Sequence, residues 1–479
     1  MRSTFQGLET SLRALHAQQA ALQTTGQNVA NANTAGYTRQ RANLQATSPY
    51  PSSGMNSPQI AGTIGTGAEA SSIERIRDQY LDAQYRSGEA QVGYAEMESN
   101  ILKTVEAIMN DQEGVGLSGA MDEFWSSLQD LSINPNDEGI KTVVREKAVS
   151  LTDTFHYLNS ALTTAQKDLQ AEVDGAKDDI NSIATQIADL NQKIGELEPS
   201  GYLPNDLYDQ RDLLVDKLSS YMDIKVERTS SGSGSNRAAA GIYTIKVAGA
   251  GSSEALVQGN IANKVETVSN GSELEIQING TTVSPTGSFQ SLIRNLGTDQ
   301  SIYKTTIDKL DKLALTLATE FNNIHGNGYK QDGEKGSDFF TLSSENASST
   351  ITLSDDIMKS TDNIAVGAEG NKKSDGGNAA KLAELLNPNV GNGTIRSAYS
   401  EMIGEIGVKV QNANRLKENS ENVRDLLSTK RDSVSSVSLD EEMTNMIKFQ
   451  HAYNAAARSM TVMDEILDRI INNMGVVGR

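Results

Sequence analysis

The stretch that decides the fold is Val144–Leu197, VREKAVSLTDTFHYLNSALTTAQKDLQAEVDGAKDDINSIATQIADLNQKIGEL. Val144, Ala148, Leu151, Phe155, Leu158, Leu162, Ala165 and Leu169 recur at alternating steps of four and three. Val173, Ala176, Ile180, Ile183, Ile187, Leu190, Ile194 and Leu197 resume the alternation. A 3.5-residue period describes a helix whose apolar seam packs along another helix. The two four-residue steps at Ala165, Leu169 and Val173 form a stutter that unwinds a supercoil locally. No proline interrupts the stretch, which at 1.5 Å per residue predicts a rod of roughly 80 Å. A compact globule rarely needs such a rod; a fibre subunit does.

Downstream, Pro199 and Gly201 stop the rod, and Leu207–Tyr221 reads as another helix. From Met222 the period changes to two. Tyr243, Ile245 and Val247 alternate with polar residues, as do Leu274, Ile276 and Ile278 before the hairpin signal Asn279–Gly280. The Ser/Gly tract at 229–236 reads as a flexible loop, and 222–288 as a small β-rich domain inserted between helices. Helix returns with Ile307, Leu310, Ala314, Leu317, Phe321 and Ile324. Residues 326–394 predict loops and short strands, with a short helix near Ala379–Leu386. Ile395, Tyr399, Met402, Ile406, Ala413, Leu416, Val423 and Leu427 mark a further long helix.

Upstream, Pro49, Pro51, Pro58, Gly54, Gly62, Gly65 and Gly67 make 47–67 an extended linker, with a helical pattern starting near Ile73 and running through Ile76 and Tyr80. Both ends of the chain carry heptad stripes. Phe5, Leu8, Leu12, Leu15, Leu22 and Val29 form the first; the NANTAG run Asn31–Gly36 ends that helix, with Gly36 at a left-handed position. Leu439, Met443, Met446, Tyr453, Met460, Leu467, Ile471 and Met474 form the second, and Ser438 with Glu441 resembles a capping box. A lone helix of such length is marginal in water. The simplest solution pairs the two termini as a coiled coil and leaves the remaining seam to neighbouring copies. The expected class is therefore mainly α with an inserted small β domain, an elongated bundle of long helices. Its expected segments are 1–60 (N-terminal coiled coil), 61–221 (helical core), 222–288 (β-rich), 289–434 (helical core, second part) and 435–479 (C-terminal coiled coil).

Composition narrows the functional classes. The net charge of −20 argues against a nucleic-acid binder, which needs a basic face. The absence of cysteine excludes disulfides and thiolate chemistry. No apolar run approaches a membrane span of ~18 residues. Gln6, Glu9, Arg13 and Gln18 interrupt any signal-peptide core, so the expectation is an intracellular protein or one exported without a cleaved signal. With one tryptophan and eight phenylalanines, cores are expected to be thin layers of Leu, Ile, Val, Ala and Met. His16, His156, His325 and His451 lie at no metal-ligand spacing and read as polar helix-face or loop residues. Gly62, Gly65 and Gly67 do not form a nucleotide loop in the required strand-to-helix order. Asp332, Glu334 and Asp338 are too sparse for a calcium loop. No cofactor, metal or catalytic residue is assigned, and none of these features indicates an enzyme.

Three motifs carry a resemblance. Gly26-Gln27-Asn28-Val29-Ala30-Asn31-Ala32-Asn33-Thr34-Ala35-Gly36-Tyr37 resembles the N-terminal signature of the flagellar rod, hook and hook-associated protein family. Its continuation Thr38-Arg39-Gln40 is similar to the version carried by the family's hook-associated members. Leu439-Asp440-Glu441-Glu442-Met443 with Phe449-Gln450-His451-Ala452-Tyr453-Asn454 resembles the matching C-terminal signature, and Asn205-Asp206-Leu207-Tyr208-Asp209-Gln210-Arg211-Asp212 a motif of the helical domain.

The resemblance implies a structural subunit of the flagellum, extracellular after type III export, at the junction between hook and filament. It implies self-assembly into a ring or helix through termini that order on addition. The implied partners are further copies, the hook protein, the second junction protein (hook-associated protein 3) and an export chaperone, with neither nucleic acid nor membrane. Assembly contacts are expected at Leu8, Leu12, Leu15, Leu22, Asn28, Asn31, Asn33, Gly36 and Tyr37, and at Met443, Met446, Phe449, Tyr453, Met460, Leu467 and Ile471. The alternatives are a hook or distal-rod subunit or, from another class, an adhesin using the β domain.

Overall fold

The computed structural model describes residues 5–50, 65–109, 116–232, 238–248, 255–270, 273–297, 301–370, 375–385 and 395–473. Most of the expected linker, part of the Ser/Gly loop and Met474 lie outside them. In chain order the first half runs α1 (Gln6–Ala30), β1 (Gln40–Ala46), β2 (Ala68–Arg75), α2 (Gln79–Met109), α3 (Leu117–Ile133), α4 (Glu138–Leu197) and α5 (Asn205–Tyr221). Strands β3 (Ile224–Thr229), β4 (Ile242–Val247), β5 (Ala255–Gln258), β6 (Ile261–Ala262), β7 (Val265–Asn270), β8 (Glu273–Ile278) and β9 (Thr281–Val283) follow. Then come α6 (Ser288–Gly297), α7 (Ile302–Asn327), β10 (Phe340–Thr341), α8 (Ala347–Thr350), β11 (Thr352–Leu353), α9 (Asp355–Lys359), α10 (Gly377–Leu385), α11 (Ile395–Ser435) and α12 (Leu439–Asn473). The class is mainly α with small sheets, as the periodicities predict.

The rod is a single helix of 60 residues, α4. Its seam is buried throughout, except that Ala165 and Ile183 are half-buried and Leu197 is exposed. A 3₁₀ turn over Glu198–Ser200 and a left-handed Gly201 end it, where Pro199 had predicted a stop.

The chain gathers into two compact units. The first comprises Met1–Glu89, Ile180–Lys264 and Asn422–Arg479. It holds an antiparallel sheet in the order β3-β4-β5-β6, on which Tyr243, Ile245 and Val247 are buried. Asn191 of α4 pins that sheet, donating to the carbonyls of Tyr243 (2.9 Å) and Gly259 (2.7 Å). The second unit comprises Ala90–Asp179 and Val265–Glu421. It contains the β7-β8-β9 meander, in which Ile278 pairs with Thr281 around Asn279 and Gly280. Both turn residues have positive φ (50° and 76°), as a two-residue hairpin of that twist requires. The strands between 222 and 288 thus form two sheets, one in each unit.

Three expectations are corrected. Residues 68–75, where a helical pattern was read from Ile73, form β2: Ile73 pairs with Ala42 of β1, and the helix starts at Gln79. Pairing along the whole of β1, from Gln40 with Arg75 to Ala46 with Ala68, overrides the weak helical spacing Ile73-Ile76-Tyr80. The scarcity of aromatics did not spread them thinly. Phe124, Phe321, Phe339 and Phe340, half of the chain's phenylalanines, pack in one cluster with centroids 4.8–6.2 Å apart. Offset and edge-on contacts of this kind add stabilisation beyond burial alone. Finally, His325 is not a surface residue: it is fully buried against that cluster, with Nδ1 2.6 Å from the Ser337 carbonyl and Nε2 accepting from the Ala365 amide at 2.9 Å.

Candidate assembly interface

The site is built in three layers within the first unit, beginning with α5. Asp212, central in the Asn205–Asp212 motif, is 1% exposed and faces three arginines of the N-terminal third. Arg75 reaches it at 2.9 Å, Arg77 at 3.2 Å and Arg86 at 3.2 Å, while the Tyr243 hydroxyl donates at 2.9 Å. Burial alone would raise this carboxyl's pKa. The guanidiniums of Arg77, Arg75, Arg86 and Arg211 outweigh that and hold it well below the ordinary carboxylate range. Asp216 extends the network to Arg86 (2.7 Å) and to Arg431 of α11 (2.7 Å). Arg211 lies with its guanidinium 3.4 Å from the Tyr243 ring centroid and donates to Asn191 and to the Gly241 carbonyl. Such buried pairs contribute little net stability over apolar packing, but each partner is costly to remove alone.

Residues 37–40 form the second layer. The Thr38 amide donates to Asp209 (3.1 Å), and Asn205 donates to the Gln40 side chain (3.1 Å) and the Ile73 carbonyl (3.0 Å). Gly36 has φ +80°, and a Cβ there would lie 3.3 Å from Leu213 of α5. The segment's other side turns to the terminal helices. The Gln40 amide donates to Asn28 Oδ1 (3.0 Å), and the Asn28 amide donates to the Gln40 carbonyl (2.8 Å) and to Glu442 of α12 (3.1 Å). Arg39 pairs with Glu442 (2.8 Å) and Glu441 (2.7 Å). The Tyr37 hydroxyl donates to Asn28 (2.9 Å), and burial, with Asp209, Asp206 and Glu442 nearby, pushes its pKa up to about 12.

The third layer is the terminal pair. α1 and α12 lie antiparallel: Gly7 meets Met463, Ser11 meets Ser459 (3.3 Å) and Asn28 meets Glu442. On α12 the inward stripe is Glu442, Met446, Phe449, Tyr453, Ala456, Met460, Met463 and Leu467, stepping alternately by four and three. Only Glu442 and Leu467 are buried outright; the others are half-buried.

Of the expected contact residues, Met446, Phe449, Tyr453, Met460 and Leu467 therefore share the inner face, whereas Met443 (58%) and Ile471 (69%) are exposed. On α1 the buried stripe is Ser11, Ala17, Ala21, Thr24, Thr25 and Asn28. The leucine stripe is displaced: Leu8, Leu15 and Leu22 are half-buried and Leu12 is exposed. Small residues take the seam because the helices approach closely; a Cβ at Gly7 would stand 3.0 Å from Met463. Asn31 closes α1 locally, donating to the Gln27 carbonyl, and Asn33 is exposed.

Sequence reading missed Glu442, Arg75, Arg77, Arg86 and Asp216. Among the described residues no group of three or more His, Cys, Asp or Glu could hold a metal ion, and no helix is long and apolar enough to cross a membrane.

Residues 102–340 match the family model described as the flagellar hook-associated protein FlgK helical domain. Residues 8–38 match the flagella basal body rod protein model, and residues 431–474 the flagellar basal body rod FlgEFG protein C-terminal model. The chain is 42% identical to flagellar hook-associated protein 1 of Bacillus subtilis (strain 168), with 100% of both chains covered. It is 27% identical to that of Salmonella typhimurium, over 96% of this chain and 98% of the relative. The solved structure of the flagellar hook junction protein FlgK from Burkholderia pseudomallei shares the fold, with a TM-score of 0.59 at 15% identity, over 75% of this chain and 100% of that one. Rod-type termini fastened onto this particular helical core, with identity running from end to end, place the chain in the flagellar hook-associated protein 1 family.

Proposed function

We propose that this chain is the structural subunit that joins the flagellar hook to the filament, and that it assembles through its paired terminal helices after type III export. As a member of its family it is a flagellar structural protein, part of an exported, extracellular assembly. The observation that carries the assembly reading is the outer face of the terminal pair. Leu439, Met443, Ile447, Val462, Ile466 and Ile470 on α12, with Leu12 on α1 and Phe5 just before it, are all at least 37% exposed. Burial of an apolar side chain of this size stabilises by roughly 1.5–3 kcal/mol. Neighbouring copies stacked around an axis would bury this face and complete a tube.

The adjoining partners are then the hook protein on one side and hook-associated protein 3 on the other, with an export chaperone shielding the apolar ends beforehand. No catalytic role, nucleic acid or membrane enters this reading; the charge of −20 speaks against nucleic acid. Electron microscopy of a strain lacking the gene tests it. Hooks without filaments, restored by the full chain, are expected; missing hooks, or filaments still attached, would reject the junction role.

A further inference from the structure

The contacts around Asn28 do more than close a helix end, because three separately ordered pieces of chain meet in one buried polar knot. Glu442 is 2% exposed and comes from the first turn of α12. Its two oxygens are held by Arg39 Nε (2.8 Å) and Asn28 Nδ2 (3.1 Å). Asn28 is 1% exposed and uses both ends of its amide: the oxygen accepts from the Gln40 amide and the Tyr37 hydroxyl, and the nitrogen donates to Gln40 and Glu442. The same four-residue segment grips α5 through Thr38–Asp209 and Gln40–Asn205. The Arg39 amide adds a bond to the Ser435 carbonyl just before α12 (2.9 Å).

We infer that Asn28, Arg39 and Glu442 form a two-key lock that couples the terminal helix pair to α5 and closes only when α1 and α12 are both in place. With α1 alone, Asn28 lacks its carboxylate; with α12 alone, Glu442 has no reason to leave water. A buried carboxylate without its donors is strongly disfavoured, so no half-closed state is stable. The lock makes the two ends of the chain, 414 positions apart at this contact, order as one cooperative event. It also transmits that ordering to the body of the subunit. Its significance for assembly rests on the junction reading above, but its existence does not.

The absence of cysteine gives a clean test. Ser11→Cys and Ser459→Cys, whose hydroxyls are 3.3 Å apart, place two thiols across the pair. The rate of intramolecular disulfide formation in the dilute full-length chain, under a fixed oxidant, reports how often the pair is closed. On that background Asn28→Asp should slow cross-linking about tenfold, because a carboxylate then faces Glu442. Adding Glu442→Gln restores an amide donating to a carboxylate across the same gap, and the rate should rise again above that of Asn28→Asp alone. An unchanged urea transition by far-ultraviolet circular dichroism, which reads the helices of both units, separates loss of the lock from loss of the fold. A double variant no faster than Asn28→Asp, or a single variant that cross-links at the parent rate, overturns the lock. Neither result bears on whether filaments join hooks, which the deletion strain decides.

Discussion

Asp212 of α5 and Arg75 of β2 meet at 2.9 Å, 137 positions apart, with neither side chain more than 7% exposed. This pair ties the N-terminal hairpin to α5 within one chain. Asp212→Asn should cost about 3–5 kcal/mol, because Arg75, Arg77 and Arg86 would remain buried without their shared counter-charge. Urea unfolding of the soluble subunit measures it. The carboxyl's depressed pKa gives the pH sign: its stabilisation is full above the unfolded carboxylate range near pH 4 and is lost as pH falls below it.

His325 has the opposite chemistry at a similar burial. Removal from water lowers its pKa to about 4, against the favourable pull of the Ser337 carbonyl; Lys330 lowers it further and Asp338 opposes. The folded value lies below the unfolded 6.5, so the unfolded chain binds the extra proton between them. Stability is full above pH 6.5 and falls as pH drops towards 4, by up to about 3 kcal/mol. Protonation also removes the acceptor for the Ala365 amide. Urea midpoints read by Trp125 at pH 4.5 and 7 should differ in the parent chain. In His325→Phe the midpoint at pH 7 should be lower, and this part of the pH dependence should vanish.

Gly36 is the turn between α1 and the segment gripping α5. Its φ of +80° and the 3.3 Å approach of a Cβ to Leu213 make Gly36→Ala unfavourable by about 1–2 kcal/mol. The helical core does not depend on that turn. The expected outcome is an unchanged urea transition with reduced filament attachment, scored by electron microscopy of the complemented deletion strain.

The elements most legible in the sequence were those with a long period. The α4 seam from Val144 to Ile194 follows directly from alternating steps of four and three, and the same spacing gives the inner stripe of α12 in part, at Met446, Tyr453, Met460 and Leu467. The β1–β2 hairpin was not legible, because Pro49, Pro51 and the glycines of 54–67 dominate its surroundings and its strands lack a clean apolar–polar alternation. The α1 seam was misplaced by about one residue. Leucine is the obvious seam residue when hydropathy is the only guide, yet close antiparallel packing selects Ser11, Ala17 and Ala21. The charge network was visible only as a motif: ion pairs joining Arg75, Arg86 and Asp212 leave no local pattern, since their spacing is set by the fold.

Truncation separates the layers of the site. Removal of 1–30, or of 440–479, eliminates the terminal pair but leaves the Asp212 network intact. Both shortened chains should keep the Trp125 unfolding transition of the parent and fail to attach filaments. Retained attachment by either would contradict a role for the terminal helices.

The most direct measurement is amide hydrogen exchange of α1 and α12, in the dissolved subunit and in assembled flagella. Fast exchange at 6–30 and 439–473 in solution, slowing by orders of magnitude on assembly while α5 stays protected in both, is the expected result. Equal and strong protection of those two helices in the solitary subunit would contradict it.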